Sequence, residues 1–269
     1  MEAMEVRAAA NGRYSQSLER GLAILSSFTA SQALLGISDL ARMLGLNRST
    51  THRYVSTLVA LGYLEQDAAT RRYRLGPRVI DLGLSAINSM ELREISLPHL
   101  QQLSDETGYT VNLAILDGGD VVYIERCRST RASQRELELS LHVGSRLPAY
   151  CTSMGKVMLA FLPEERLNDV LSGLRLTRRG PNTLTSRAAL RAELEAVRAA
   201  GLAANDEELA YGLRSIAAPV HGASGDVAAA VNIAVHRSRE PMDVLVAQLG
   251  PALTRTADAI AARAGYRPV

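Results

Sequence analysis

The chain has 269 residues, 47% of them apolar, with a mean hydropathy of 0.00 and a formal charge of +2. That describes one large or two ordinary globular domains and excludes a disordered chain. No apolar run approaches the roughly 18 residues of a spanning helix, two cysteines cannot staple a disulfide scaffold, and the first residues lack the order of a secretory signal, so a cytoplasmic protein is expected.

The charge is uneven. Residues 1–90 carry ten arginines against seven acids, while residues 91–269 carry twenty bases against twenty-one acids, among them Lys156, the only lysine of the chain. A basic front and a neutral back suggest a nucleic-acid module joined to something else. With no Trp and two Phe, stacking on exposed bases is not the expected mode of binding.

Residues 1–14 read as a flexible arm. Ser17 is placed to cap a first helix with Leu18, Leu22, Leu25 and Phe28 inward, at steps of three and four. Ser38 can cap a second, with Leu40, Ala41 and Leu44 inward and Gly45 as its stop. Asn47 can cap a third, which buries Val55, Leu58, Val59 and Gly62 and leaves Arg48, Ser49, Thr51, His52, Arg53 and Ser56 outside. Two helices around a tight glycine turn make a helix-turn-helix. Tyr63–Gln66 and Arg71–Leu75 then form a hairpin around Asp67–Thr70, a wing with Arg72 and Arg74 on one face. This winged module covers 15–76. Pro77 opens a linker helix over 77–90 whose Val79, Ile80, Leu82, Leu84 and Ile87 exceed what one buried face needs, which suits it to subunit contact.

Residues 91–269 mix strands and helices. A helical pattern runs from Glu91 to Thr107, kinked by Pro98 or starting near it. Thr110–Leu116 and Val121–Arg126 pair around Asp117–Asp120, and Leu137–Val143 reads as a third strand. Helices follow at Ser153–Phe161, Glu164–Leu171 and Arg187–Ala200, the last stopped by Gly201. Strands Ile216–Val220 and Val227–Val235 flank a turn, and Met242–Ala264 is a long closing helix whose stripe reads as core. The order predicts an antiparallel sheet with helices packed on it, and an α+β class for the whole.

Short signatures run through both parts: Ser17-Leu18-Glu19-Arg20-Gly21-Leu22, Asp39-Leu40-Ala41, Arg48-Ser49-Thr50 and Leu61-Gly62-Tyr63 in front, and Gly144-Ser145-Arg146-Leu147-Pro148, Gly155-Lys156, Asn205-Asp206-Glu207-Glu208 and Gly212-Leu213-Arg214-Ser215-Ile216-Ala217 behind. In that order and spacing they resemble the IclR family of bacterial transcription regulators. Arg146 to Tyr150 and Thr152 to Gly155 are most similar to its β-ketoadipate-pathway branch, the PcaR, PcaU and PobR type. The resemblance implies a winged helix-turn-helix in front and a GAF-like effector-binding and oligomerisation domain behind. It implies a homodimer or dimer of dimers on palindromic double-stranded promoter DNA, a small carboxylate or aromatic-acid effector such as protocatechuate or β-ketoadipate, and no enzymatic activity.

Arg48, Ser49, Thr50, Thr51 and Arg53, at the start of the third helix, are the expected DNA contacts, although Thr50 can equally be packed. Arg71 and Arg72 of the wing are either phosphate contacts or plain edge-strand charges. The resemblance places Ser153 and Met154 around the effector, with Asn205, Leu213, Ser215, Asn232 and Ala234. A helix N-terminus near Ser153 offers free N–H groups to an anion. Arg146 and Arg214 either balance a carboxylate or form ion pairs, with Glu207 and Glu208 as candidate partners. Asn232 lies in an apolar strand, and a buried amide needs a partner, ligand or protein. Where glyoxylate-responsive members have an acid and a Cys, this chain has Asn205 and Ser215. Cys151 with His142 lacks the orienting partner of a catalytic set, and no histidine spacing suits a metal, so neither a catalytic site, a metal nor a cofactor is expected. The alternatives to an aromatic-catabolism regulator are a ligand-independent repressor and a regulator of another small-carboxylate pathway.

Overall fold

The computed structural model describes residues 14–29, 31–129, 141–236 and 241–267, and the chain divides into two units, Met1–Ser89 and Met90–Val269. The arm expected over 1–14 lies, apart from Tyr14, outside the described residues. Among the described residues no helix is long and apolar enough to cross a membrane.

The front unit contains α1 (Gln16–Ser26), α2 (Ile37–Leu44), α3 (Arg48–Ala60), β1 (Leu64–Gln66), β2 (Tyr73–Leu75) and α4 (Pro77–Asn88). Ser15, not Ser17, caps α1 by accepting the Leu18 N–H at 3.3 Å. Ser17 instead hydrogen-bonds the Tyr54 phenol of α3 and lowers its pKa. Ile24, Leu25 and Phe28 turn inward, but Leu18 and Leu22 stay exposed, because only the second half of α1 supplies buried positions. Gly36 stands at the start of α2 in place of Ser38. It has no side chain to cap with, and Asp39 Oδ2 reaches back to accept its N–H at 3.1 Å. Gly45 ends the helix at φ 63°, where glycine is free of Cβ strain, and Leu46 N–H returns to the Ala41 carbonyl. Asn47 Oδ1 then accepts the Thr50 N–H at 2.7 Å and starts α3. The wing strands are shorter than the alternation suggests: Arg71 sits at φ 58° and leaves the ladder before β2 begins. Buried Tyr73 exchanges two backbone hydrogen bonds with Leu35, tying the wing to the segment before α2.

The rear unit begins with α5 (Glu91–Thr107), which runs through Pro98. It continues with the hairpin β3 (Thr110–Asp117) and β4 (Asp120–Cys127), then β5 (Arg146–Pro148) and a short 3-10 turn, Ala149–Cys151. The strand expected over Leu137–Val143 falls partly outside the described residues, and the described strand begins later, at Arg146. There follow α6 (Ser153–Ala160), α7 (Glu164–Gly173), α8 (Arg187–Ala200), β6 (Ala203–Asp206), β7 (Leu213–His221), β8 (Val227–His236) and α9 (Met242–Arg263). Among the described residues the strands form one antiparallel sheet of six, in the order β5-β4-β3-β8-β7-β6.

The alternation of side chains gives this sheet two unlike faces. Val111, Leu113, Ile216, Val220, Val231 and Ile233 pack against Leu100 and Leu103 of α5 and Leu245, Leu253 and Ile260 of α9. The intervening residues are small or polar: Asn112 and Ala114 on β3, Ser215 and Ala217 on β7, Ala230 and Asn232 on β8, and Ala203 and Asn205 on β6. This second face meets α6. The helix also presses against the turn before it, where a Cβ on Gly155 would come within 2.2 Å of the Ala149 carbonyl oxygen.

Lys156 clamps α6 in place. It is buried, and its Nζ lies 2.7 Å from Glu193 of α8 and 2.5 Å from Glu208, which follows β6. Burial raises the Glu208 carboxyl pKa, and the Lys156 charge opposes that rise. Lys156→Met is expected to strand a buried carboxylate and lower the stability of the rear unit by about 3–5 kcal/mol. Urea denaturation checks this, and adding Glu208→Gln should recover part of the loss.

Candidate nucleic-acid interface and ligand cavity

At the start of α3, Arg48, Ser49 and Arg53 are exposed and Thr50 is half-buried. The Ser49 hydroxyl donates to Asn47 Oδ1 at 3.0 Å, and Arg53 lies over the Tyr54 ring at 5.8 Å. Thr51 is a correction. It is buried, with its hydroxyl donating to the Asn47 carbonyl at 3.0 Å, so it packs inward and does not belong to the outer face. In the wing, Arg71 is exposed. Arg72 reaches Asp39 of α2 at 3.5 Å and the Leu34 carbonyl at 3.4 Å, and Arg74 pairs with Glu65 at 2.9 Å. Arg72 thus also ties the wing to the helix-turn-helix, a role its sequence position did not disclose.

The small-residue face of the rear sheet opens a narrow cleft. Of the expected effector residues, Asn205, Leu213, Ser215, Asn232 and Ala234 line it. So do residues that sequence reasoning missed: Asn112, Tyr123, Arg126, Leu141, Thr152 and Leu209. Asn112 and Asn232 are direct cross-strand partners, and Asn112 Nδ2 donates to Asn232 Oδ1 at 2.8 Å. Arg126 Nη1 in turn donates to Asn112 Oδ1 at 3.3 Å. Two residues along on the same face, Ser215 Oγ is 2.7 Å from Ser153 Oγ. Burial pushes the Tyr123 phenol up to about 12, which keeps it neutral. The buried amide of Asn232 has its partner, and that partner is another amide.

Four expected ligand residues have other positions. Ser153 is bonded to Ser215 and is not among the residues that line the cleft, and Met154 is packed in the core. Arg146 pairs with Asp117 at 2.8 Å and Asp120 at 3.4 Å, across the hairpin turn. Arg214 pairs with Asp206 at 2.6 Å, so neither arginine takes Glu207 or Glu208 in these ion pairs. The N-terminus of α6 is capped from within: Thr152 Oγ1 accepts the Gly155 N–H at 3.1 Å. Asn205 lines the cleft, but its amide donates to the Cys151 carbonyl at 3.0 Å and accepts the Glu208 N–H at 2.9 Å. The signal that singled out Asn232, an amide within an apolar strand, was equally present at Asn112. No comparable signal marked Arg126.

A winged helix-turn-helix, joined to a separate unit with a polar cleft, defines a two-part DNA-binding regulator. The models of the family agree: residues 17–68 match the IclR helix-turn-helix domain and residues 84–262 match the bacterial transcriptional regulator IclR C-terminal domain. The chain belongs to the IclR family, and it is a transcriptional regulator with a DNA-binding front domain and an effector-binding rear domain. It is 38% identical to the Pca regulon regulatory protein of Pseudomonas putida over 83% of this chain and 75% of that one. It is also 38% identical to the HTH-type transcriptional regulator XynR of Escherichia coli, over 83% and 87%. A solved structure from Rhodococcus sp. RHA1 superposes with a TM-score of 0.76 at 41% identity, covering 93% and 98% of the two chains. An IclR homolog from Microbacterium hydrocarbonoxydans, complexed with 4-hydroxybenzoate, superposes with a TM-score of 0.76 at 28% identity, covering 93% and 99%.

These relatives are regulators or homologs of regulators, and the chain is not an enzyme. Burial pushes Cys127 up to about 11 and Cys151 up to about 12, and His142 bonds Ser145 rather than a thiol. The thiolate, the reactive form, is therefore scarce at pH 8. Neither cysteine of the native protein is expected to react with a disulfide reagent at that pH on the scale of minutes, whereas both react in denaturant. A colorimetric thiol assay decides it.

Proposed function

We propose that this protein regulates genes for the catabolism of an aromatic acid, and that it acts in the cytoplasm as a homodimer or dimer of dimers on a palindromic operator. The observation that carries the reading is the cleft on the small-residue face. Amide and hydroxyl groups from β3, β7 and β8 meet the apolar walls Leu141, Leu209 and Leu213, the mixed lining that a small ligand with polar ends requires. The name of the Pseudomonas putida relative and the 4-hydroxybenzoate held by the Microbacterium homolog support an aromatic acid as the class. The cleft argues against a ligand-independent repressor, whose interior needs no such groups.

On the DNA side the reading assigns Arg48, Ser49, Thr50 and Arg53 to the major groove and Arg71, with Arg72, to backbone phosphates. For assembly, Ile80 and Leu84, four residues apart on one face of α4, are exposed, as is Leu82 on the opposite side, and this exposed apolar surface suits contact with a second copy.

Two measurements test this. Thermal unfolding of the full chain with protocatechuate, 4-hydroxybenzoate and β-ketoadipate is expected to give a raised midpoint with at least one of the two aromatic acids. A flat response to both aromatic acids contradicts the aromatic-acid reading, and a response to β-ketoadipate alone points to an aliphatic dicarboxylate instead. On an operator selected from random duplexes, Arg48→Ala and Arg53→Ala are each expected to weaken binding about tenfold, and loss of a phosphate contact lowers the salt slope by about 1. Unchanged affinity in both variants removes α3 from the interface.

A further inference from the structure

Arg126 faces the cleft because β4 carries an extra residue. Asn112 pairs with Arg126 and Leu113 with Glu125, but Ala114 pairs with Tyr123, and Ile124 is left over. In a regular strand, residues three apart point to opposite faces. The bulge cancels that rule, so Tyr123 and Arg126 both line the cleft while Ile124 joins the apolar core on the other side.

The irregularity is built in rather than tolerated. Arg93 of α5 donates from Nε to the Ile124 carbonyl at 3.1 Å and pairs with Glu125 Oε2 at 2.7 Å. Glu125 Oε1 accepts the Arg126 N–H at 2.9 Å. A second arginine and a carboxylate therefore hold the bulge that aims the first arginine. Arg126 then heads a hydrogen-bonded row, through Asn112 to Asn232, that crosses the sheet and lies beside the Ser215 hydroxyl on the same face.

We propose that Arg126 is the residue that selects a carboxylate, anchoring the acid group of the effector at the β4 edge of the cleft while Ser215 takes a hydroxyl at the other. The proposal rests on the aromatic-acid reading above. From β4 to β7 are three strand spacings, about 14 Å, a gap that an extended arginine and one aromatic ring with groups at both ends can bridge. A guanidinium suits the acid end because its two N–H groups match the two oxygens of a carboxylate.

The test is calorimetric titration of the full chain with 4-hydroxybenzoate and with 4-hydroxybenzamide, which has the same shape without the charge. The wild type is expected to favour the acid at least tenfold. Arg126→Gln is expected to lose tenfold or more for the acid, hold the amide within twofold, and still unfold in one cooperative transition. Arg126→Lys retains the charge without the fork, and its acid affinity is expected between the two. Arg126→Gln that keeps the wild-type preference overturns the assignment while leaving the aromatic-acid reading in place. So does a wild type that binds the acid and the amide equally. A wild type that binds 4-hydroxybenzoate and protocatechuate not at all overturns both.

Discussion

A β-strand must send successive side chains to opposite faces, and the rear unit depends on how three neighbouring strands use that constraint. On β3, β8 and β7 one set of alternate positions is mostly Val, Leu and Ile, and the other is mostly Asn, Ala and Ser. The bulky set pays for the fold by burying apolar surface against α5 and α9. The other set can then stay small enough to leave space and polar enough to hold a ligand. Stability and recognition are separated by the thickness of one sheet, so the binding face can vary without emptying the main core.

The cleft is bordered by groups whose hydrogen-bonding capacity is largely committed. Thr152 caps α6, Asn205 joins the Cys151 carbonyl to the Glu208 N–H, and Lys156 binds Glu208 and Glu193. One connected network thus fixes the helix over the sheet and the loop after β6. Such preorganisation lets a small ligand bind without ordering its own site. It also makes an effect on DNA binding a matter of differential affinity: an effector alters operator affinity only as far as it binds two arrangements of the protein unequally.

Much of this was legible in the chain. Asn47, Gly45 and Gly201 stand where helix ends need a cap or a left-handed residue, and the two-glycine hairpin and the long closing helix followed from spacing alone. β6 was not legible, because Ala203-Ala204-Asn205-Asp206 has none of the branched or aromatic residues that mark strands. Thr51 looked like a surface residue because hydroxyls are ambiguous: its own bonds to the backbone at Asn47. Arg146 and Arg214 drew attention as cations near a ligand motif, yet each finds an aspartate brought in by pairing of strands distant in sequence. Arg126 was hidden for a sharper reason. Alternation counted from Tyr123 puts it on the wrong face, and only the register reveals the bulge.

The central claim is that the space above the small-residue face is where the effector acts. Ala234 lines that space and pairs with Ser215 across β8 and β7. The most direct measurement is the effector affinity of Ala234→Leu, alongside its melting midpoint and operator binding. The account predicts a protein that melts near the wild-type temperature and binds its operator, but has lost at least tenfold in affinity for the aromatic acid. Unchanged affinity for the acid in a folded Ala234→Leu protein would contradict it.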